Sequence, residues 1–269
     1  MSDGDIHVVA YFPEGVKYIL DFGSTHYIGF VDDTTVLKYP HFKEELDGLA
    51  VEWQIYQRLG KHPRITDLKG RHKDGGIFLE YARNGSLQGY LESNAPLNVE
   101  TKLRLAKETA DGVAHAHRQN VLICDIAVRN ILVDSELHVK LCDFQGKIIG
   151  PDGTVILSGG ASENADSYKP RDNPYDQNVS TDIFALGSTI YYIMTGHRPF
   201  PKLDTIQDEL KINESYRQGL FPRLDIAEEI VHKCWSGKYT SASEVVSDLA
   251  VLRRSYVQSS ELGQQLQQD

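Results

Sequence analysis

Residues 123–146 read ICDIAVRNILVDSELHVKLCDFQG, and the rest of the chain is best read outward from three polar side chains within them. Asn130 lies five residues after Asp125, and Asp143 lies 13 after Asn130. Between them the pattern predicts two brief strands, 130–133 and 138–142, turning at Asp134-Ser135. Asp125 follows a long predicted helix, and Asp143 ends the second strand. Two oxygen-bearing side chains flanking a small hairpin suit a hard divalent cation such as Mg²⁺. A third carboxylate nearby can orient a hydroxyl and accept its proton. Phosphoryl transfer needs these parts, because positioning and charge neutralisation dominate its catalysis. One Asp in a loop is more often a cap or turn former; the spaced set carries the reading.

Upstream, residues 16–39 alternate apolar and polar side chains, with Gly23, Gly29 and Asp32-Asp33 as turn signals, which predicts a strand meander. Residues 42–59 read as a helix with Leu46, Leu49, Trp53, Tyr56 and Leu59 at helical spacing. Short strands are expected near 64–69 and 76–81. From Val99 to His117 a stripe of Leu103, Ala106, Ala110 and Val113 predicts the long helix that leads to Asp125. Downstream, 145–180 is rich in Gly, Ser, Asp, Asn and Pro, and a loop of that length inside a domain is functional or disordered. Helices are expected again near 181–195, 225–235 and 241–255. Residues 1–14 read as a loose arm and 259–269 as a frayed tail. Strands with one helix, followed by mainly helices, predict an α+β arrangement in two lobes.

Composition permits a sizeable core, with 41% hydrophobic and 25% charged residues among 269. A net charge of −10 argues against a general nucleic-acid or anionic-membrane binder. No apolar run reaches the roughly 18 residues of a membrane span, and the start, MSDGDIHVVAYFPEG, lacks a signal-peptide layout. Cys124, Cys142 and Cys234 are odd in number and lack zinc-ligand spacing, which fits a reducing cytoplasmic or nuclear location.

The 123–146 stretch resembles the catalytic loop and metal motif of protein kinases, H-R-D-x-x-x-x-N followed by D-F-G. The resemblance implies Asp125 as catalytic base, Asn130 and Asp143 as metal ligands, and Phe144 as the second residue of D-F-G. Val36-Leu37-Lys38 resembles the V-A-I-K strand, so Lys38 is implied to contact the α- and β-phosphates. Glu52 resembles the helix-C Glu that anchors that Lys, with Glu45 as a fallback partner. Phe78-Leu79-Glu80-Tyr81-Ala82 resembles the hinge between lobes, with Leu79 as gatekeeper and the Glu80 and Ala82 backbones facing adenine. The nucleotide-binding set implied is Gly23, Ile28, Val36, Lys38, Leu79, Glu80, Ala82 and Leu132. Thr181-Asp182-Ile183-Phe184-Ala185-Leu186-Gly187 resembles the family helix whose Asp caps the catalytic loop, and Lys233-Cys234-Trp235 its late C-W element. The likeness spans about residues 16–255. It implies one kinase-like domain over 1–269, with a β-rich N-lobe (about 15–82) and a helical C-lobe (about 83–258).

Several motifs depart from that pattern. The phosphate-covering loop, LDFGSTHYI, puts Asp21, Gly23, His26 and Ile28 in the G-x-G-x-x-G-x-V register, keeping one glycine; weaker nucleotide binding is expected. Val36 replaces a small Ala. Ile123 and Cys124 replace the His and Arg of H-R-D, and Cys124 cannot bind a phosphorylated loop as Arg does. D-F-G becomes Asp143-Phe144-Gln145-Gly146, and Gly146 is expected to supply the freedom that Gln145 lacks. Arg171 replaces the Glu of A-P-E, and Tyr239-Thr240-Ser241 replaces its late Arg partner. Cys142 is a candidate for alkylation from the nucleotide site, or else an inert buried thiol. Ser158, Ser162, Ser167 and Tyr168 are candidate phosphorylation positions.

The expectation is an ATP-dependent protein kinase using Mg²⁺, or Mn²⁺ in its place, with a Ser or Thr acceptor ahead of Tyr. The string D-I-A-V-R-N leans the other way, towards the D-L-A-A-R-N of tyrosine kinases. A pseudokinase scaffold and a small-molecule kinase of the aminoglycoside-phosphotransferase type are the alternatives. The partner expected is a protein substrate, not nucleic acid or membrane.

Overall fold

Three N-terminal strands form the meander that alternation predicts: β1 (Tyr18–Phe22), β2 (His26–Asp32) and β3 (Thr35–Pro40). The computed structural model describes residues 12–23, 25–42, 47–93 and 95–265. The tight β2–β3 turn is set by Asp32, whose Oδ1 accepts from the Thr34 amide at 2.8 Å and from its hydroxyl. β4 (Leu68–Arg71) and β5 (Ile77–Glu80) complete an antiparallel sheet in the order β1-β2-β3-β5-β4. Lys38 pairs in register with Ile28 on one side and Ile77 on the other, so this Lys sits on the central strand.

The strand expected at 64–69 begins later. Thr66 N–H instead donates to Leu141 O at 3.0 Å, and Leu141 N–H to Arg64 O at 2.9 Å. Residues 64–66, just before β4, are thereby tied to the hairpin expected at 130–142, not to the N-terminal sheet. Helix α1 (Asp47–Leu59) packs against the sheet with Leu49, Glu52, Ile55, Tyr56 and Leu59 buried. The expected helical residues 43–46, including Leu46 and the fallback Glu45, lie outside the described residues, as do residues 1–11 of the expected arm. Residues 13–16 form a turn, with Val16 N–H donating to Pro13 O at 3.2 Å.

The second half is helical: α2 (Leu87–Ser93), α3 (Val99–Arg118), α4 (Val179–Thr195), α5 (Glu209–Arg217), α6 (Glu228–Trp235) and α7 (Ala242–Gln265). The Asn98 carboxamide caps α3 by accepting from Thr101 N–H at 2.8 Å. An Asn178–Thr181 capping box opens α4, and Gly196, at φ 82°, closes it. α2 and α5 each bury little, Leu87 in α2 and Ile212 and Tyr216 in α5, so neither carries an apolar stripe in the sequence. The tail expected to fray from 259 is instead helical through Gln265, and 266–269 lie outside the described residues.

The stretch 145–180 is not uniformly loop. β9 (Lys147–Ile149) and β10 (Val155–Ser158) form a hairpin, and β9 also pairs with β6 (Val121–Leu122) just before the catalytic loop. Pro151-Asp152-Gly153 between two apolar runs is a turn signal that could have revealed it. β7 (Ile131–Val133) and β8 (Val139–Leu141) make the predicted catalytic hairpin. Among the described residues, no helix is long and apolar enough to cross a membrane.

Candidate active site

A cavity of about 820 Å³ lies between the five-stranded sheet and the β7–β8 hairpin, a size suited to a small-molecule ligand. It brings together residues that the sequence places far apart. Gly23, Ile28, Val36, Lys38, Leu79, Glu80, Ala82 and Leu132 all line it, as do Asp125, Asn130 and Asp143. Glu52 reaches it from α1.

Lys38 is the centre of its charge. Its Nζ stands 2.7 Å from Glu52 Oε2 and 2.6 Å from Asp143 Oδ1. Burial alone would pull the ammonium down, but Glu52 and then Asp143 outweigh it and hold Lys38 above the ordinary lysine value. Burial pushes the Glu52 carboxyl up against the opposing pull of Lys38. For Asp143 burial also pushes upward, and the Lys38 ammonium more than reverses it, keeping this carboxyl below its usual range. The Asp143 side chain is 41% exposed and opens to the cavity, whereas Glu52 is fully buried.

Asp125 and Asn130 face the same cavity from the catalytic loop. Asn130 Nδ2 donates to the Asp125 carbonyl at 3.0 Å and to Asp125 Oδ2 at 2.8 Å. That leaves the Asn130 amide oxygen available to a cation. Arg129 binds the other Asp125 oxygen. Burial raises the Asp125 carboxyl, and the Arg129 guanidinium works against it. The cavity thus offers an amide oxygen and a carboxylate, which fit Mg²⁺ or Mn²⁺ in chemical type.

The backbone under this site is unusual at two positions. Cys124 has φ 63° and Asp143 has φ 60°, both in the left-handed region. Asp182 of α4 holds the first: its Oδ2 accepts from Ile123 N–H at 2.8 Å and its Oδ1 from Cys124 N–H at 2.9 Å. The role expected of Asp182 as loop cap is thus its observed geometry. His117, read from sequence only as part of a helical stripe, adds Nε2 at 2.9 Å from the same carboxylate. Only a glycine fits at 146 in this conformation: a Cβ there would stand 1.9 Å from the Leu122 carbonyl oxygen and 2.6 Å from that of Ile123. Gln145 reaches the site, with Nε2 3.4 Å from Asp143 Oδ1.

The other departures are also settled by packing. Phe144 is fully buried edge-on to Tyr56, with ring centroids 5.0 Å apart. Cys142 lines the cavity, and burial, with Asp143 alongside, pushes its thiol well above its ordinary value. Arg171 is paired after all, with Glu163 at 2.8 Å. Tyr239 binds Asp248 Oδ2 at 2.6 Å, so the region of the missing late Arg has its own polar contact. Ser167 is buried, which removes it as an accessible phosphorylation position in this conformation. Sequence reading also missed Lys140, whose Nζ lies 2.7 Å from both Glu80 carboxylate oxygens and ties β5 to the catalytic hairpin.

Comparison with known proteins agrees with this geometry. The family model for the protein kinase domain matches residues 35–250. The chain is 25% identical over 209 residues to serine/threonine/tyrosine-protein kinase HT1 of Arabidopsis thaliana, covering 72% of this chain and 51% of the relative. It is 27% identical over 207 residues to serine/threonine-protein kinase RAD53 of Saccharomyces cerevisiae, covering 68% and 24%. It is 25% identical over 241 residues to a dual serine/threonine and tyrosine protein kinase of Gallus gallus, covering 83% and 24%. The chain thus spans between about a quarter and a half of these relatives' lengths.

Proposed function

Because the chain belongs to the protein kinase family, we propose that it transfers the γ-phosphate of ATP to a hydroxyl of a protein substrate, Ser or Thr ahead of Tyr. The observation that carries this reading is the assembled Lys38–Glu52–Asp143 cluster, with both ion pairs made and Asp125 and Asn130 facing the same cavity. Lys38 Nζ would bind the α- and β-phosphates, kept in place by Glu52. Leu79, Val36, Ile28, Ala82 and Leu132 would enclose the adenine, with the Glu80 and Ala82 backbones as its polar partners. Asn130 Oδ1 and Asp143 would hold Mg²⁺ or Mn²⁺. A divalent ion there supplies neutralisation of charge on the phosphates. Both Asp125 oxygens already accept one hydrogen bond each, and each keeps a lone pair with which to orient the acceptor hydroxyl and take its proton. Relatives named for serine/threonine and for dual serine/threonine and tyrosine specificity support a protein hydroxyl as acceptor.

A scaffold without turnover is the second reading. It is favoured by the phosphate-covering turn, where the Gly23 N–H donates to His26 O at 2.8 Å and is not directed at the cavity. One experiment separates the two: incubation with Mg²⁺ and labelled ATP beside Asp125→Asn and Asp143→Asn. Transfer of label to protein should fall at least about 100-fold in each folded variant. Binding of nucleotide with no transfer by the unchanged chain would establish the scaffold; label passing only to small-molecule acceptors would favour the third class.

A further inference from the structure

The residue at the third glycine position of the phosphate-covering turn is His26, and it brings an aromatic side chain where the family pattern has none. The ring is buried at the start of β2 and lines the cavity beside Lys38 and Asp143. Its Nδ1 is 2.7 Å from Thr25 Oγ1. Within the same turn the Gly23 N–H is already used, donating to His26 O at 2.8 Å. The one glycine that the register keeps therefore does not offer its own amide to an anion.

We propose that the His26 imidazole is the phosphate donor of this turn, with Nε2–H hydrogen-bonding the terminal phosphates of a nucleoside triphosphate. In the tautomer in which the Thr25 hydroxyl donates to Nδ1, the ring proton lies on Nε2 and is free for a ligand in the cavity that the ring lines. Burial and the neighbouring Lys38 ammonium keep the ring neutral, its pKa lowered to about 4. A neutral donor beside Lys38 adds a hydrogen bond without a second buried cation next to the first. His26 is in this sense a ligand-binding residue that does the work of the two missing glycines by side chain instead of backbone. The proposal rests on the ATP reading given above.

Calorimetric titration with Mg-ATP and with adenosine, on the unchanged chain, His26→Ala and His26→Asn, tests it. Adenosine has no phosphates, so its affinity should be equal in all three. Mg-ATP should bind His26→Ala about three- to tenfold more weakly, the loss of one hydrogen bond. His26→Asn, which restores an N–H donor, should recover most of that loss. Equal or tighter Mg-ATP binding by His26→Ala overturns the proposal, since the ring would then be idle or an obstruction. A parallel loss of adenosine also overturns it, because the ring would then only support the turn. If the unchanged chain binds neither ligand, the ATP reading fails as well; if it binds both and His26→Ala does not discriminate, only the role of His26 fails.

Discussion

Asp182 shows how one side chain maintains a site built from substituted motifs. It accepts from two buried amides and lies against His117, while Cys124 holds a left-handed backbone that a residue with a Cβ adopts only when its surroundings enforce it. Removing the carboxylate leaves the Ile123 and Cys124 N–H groups buried with no acceptor, at about 1–3 kcal/mol each. Asp182→Ala should therefore lower the unfolding free energy by about 3 kcal/mol, read as a reduced urea midpoint, and abolish label transfer. A midpoint equal to that of the unchanged chain would refute this account of the loop. Loss of the His from H-R-D is tolerated for the same reason: Ile123 is buried in the apolar core, and the loop's polar anchoring comes from α4 and α3.

At the scale of elements, the segment from β9 to α4 is held by its own contacts. Gln145 O accepts from Ala161 N–H at 3.0 Å, and Asp166 O accepts from Ser188 Oγ and Tyr216 OH, both at 2.7 Å. Arg171 joins Glu163 to the Lys169 and Pro174 carbonyls. These contacts are made by the chain's own side chains and backbone, and Cys124, where kinases carry the phosphate-binding Arg, is buried. Activity should accordingly survive phosphatase treatment unchanged; abolition by phosphatase would contradict the internal latch. The pair is asymmetric, because the Glu163 side chain is fully buried while Arg171 retains carbonyl acceptors. Arg171→Met should cost more stability than Glu163→Gln, by about 1–3 kcal/mol, since it strands a buried carboxylate. Hydrogen exchange at 160–172 should rise in the same order.

For the whole molecule, two ion pairs join the five-stranded sheet to the segment of the β7–β8 hairpin: Lys38 to Asp143, and Glu80 to Lys140. A ligand that fills the space between the sheet and the catalytic hairpin therefore stabilises both halves at once. At about 100 times its dissociation constant, Mg-ATP should add about 2.7 kcal/mol, a rise in Tm of roughly 5–10 °C. The metal-dependent part of that rise should vanish in Asp143→Asn. A flat melting curve at millimolar Mg-ATP would count against a nucleotide site.

Much of this molecule was legible in the chain itself. The spacing of Asp125, Asn130 and Asp143 announces the catalytic hairpin, and alternation announces β1 to β3, because side-chain period and metal-ligand chemistry are local properties of sequence. The Glu163–Arg171 pair, the Lys140–Glu80 tie and the His117 contact to Asp182 could not be read that way. They join residues whose separation in the chain carries no periodic signal, and they exist because burial makes each charge seek a partner in space. α5 escaped for a related reason: it buries only Ile212 and Tyr216, and Tyr216 meets Phe184, Phe200 and Trp235 only in the folded chain. Identity of the site thus came from residue order, and its completeness came from packing, since a pocket's charge balance is a property of what surrounds it.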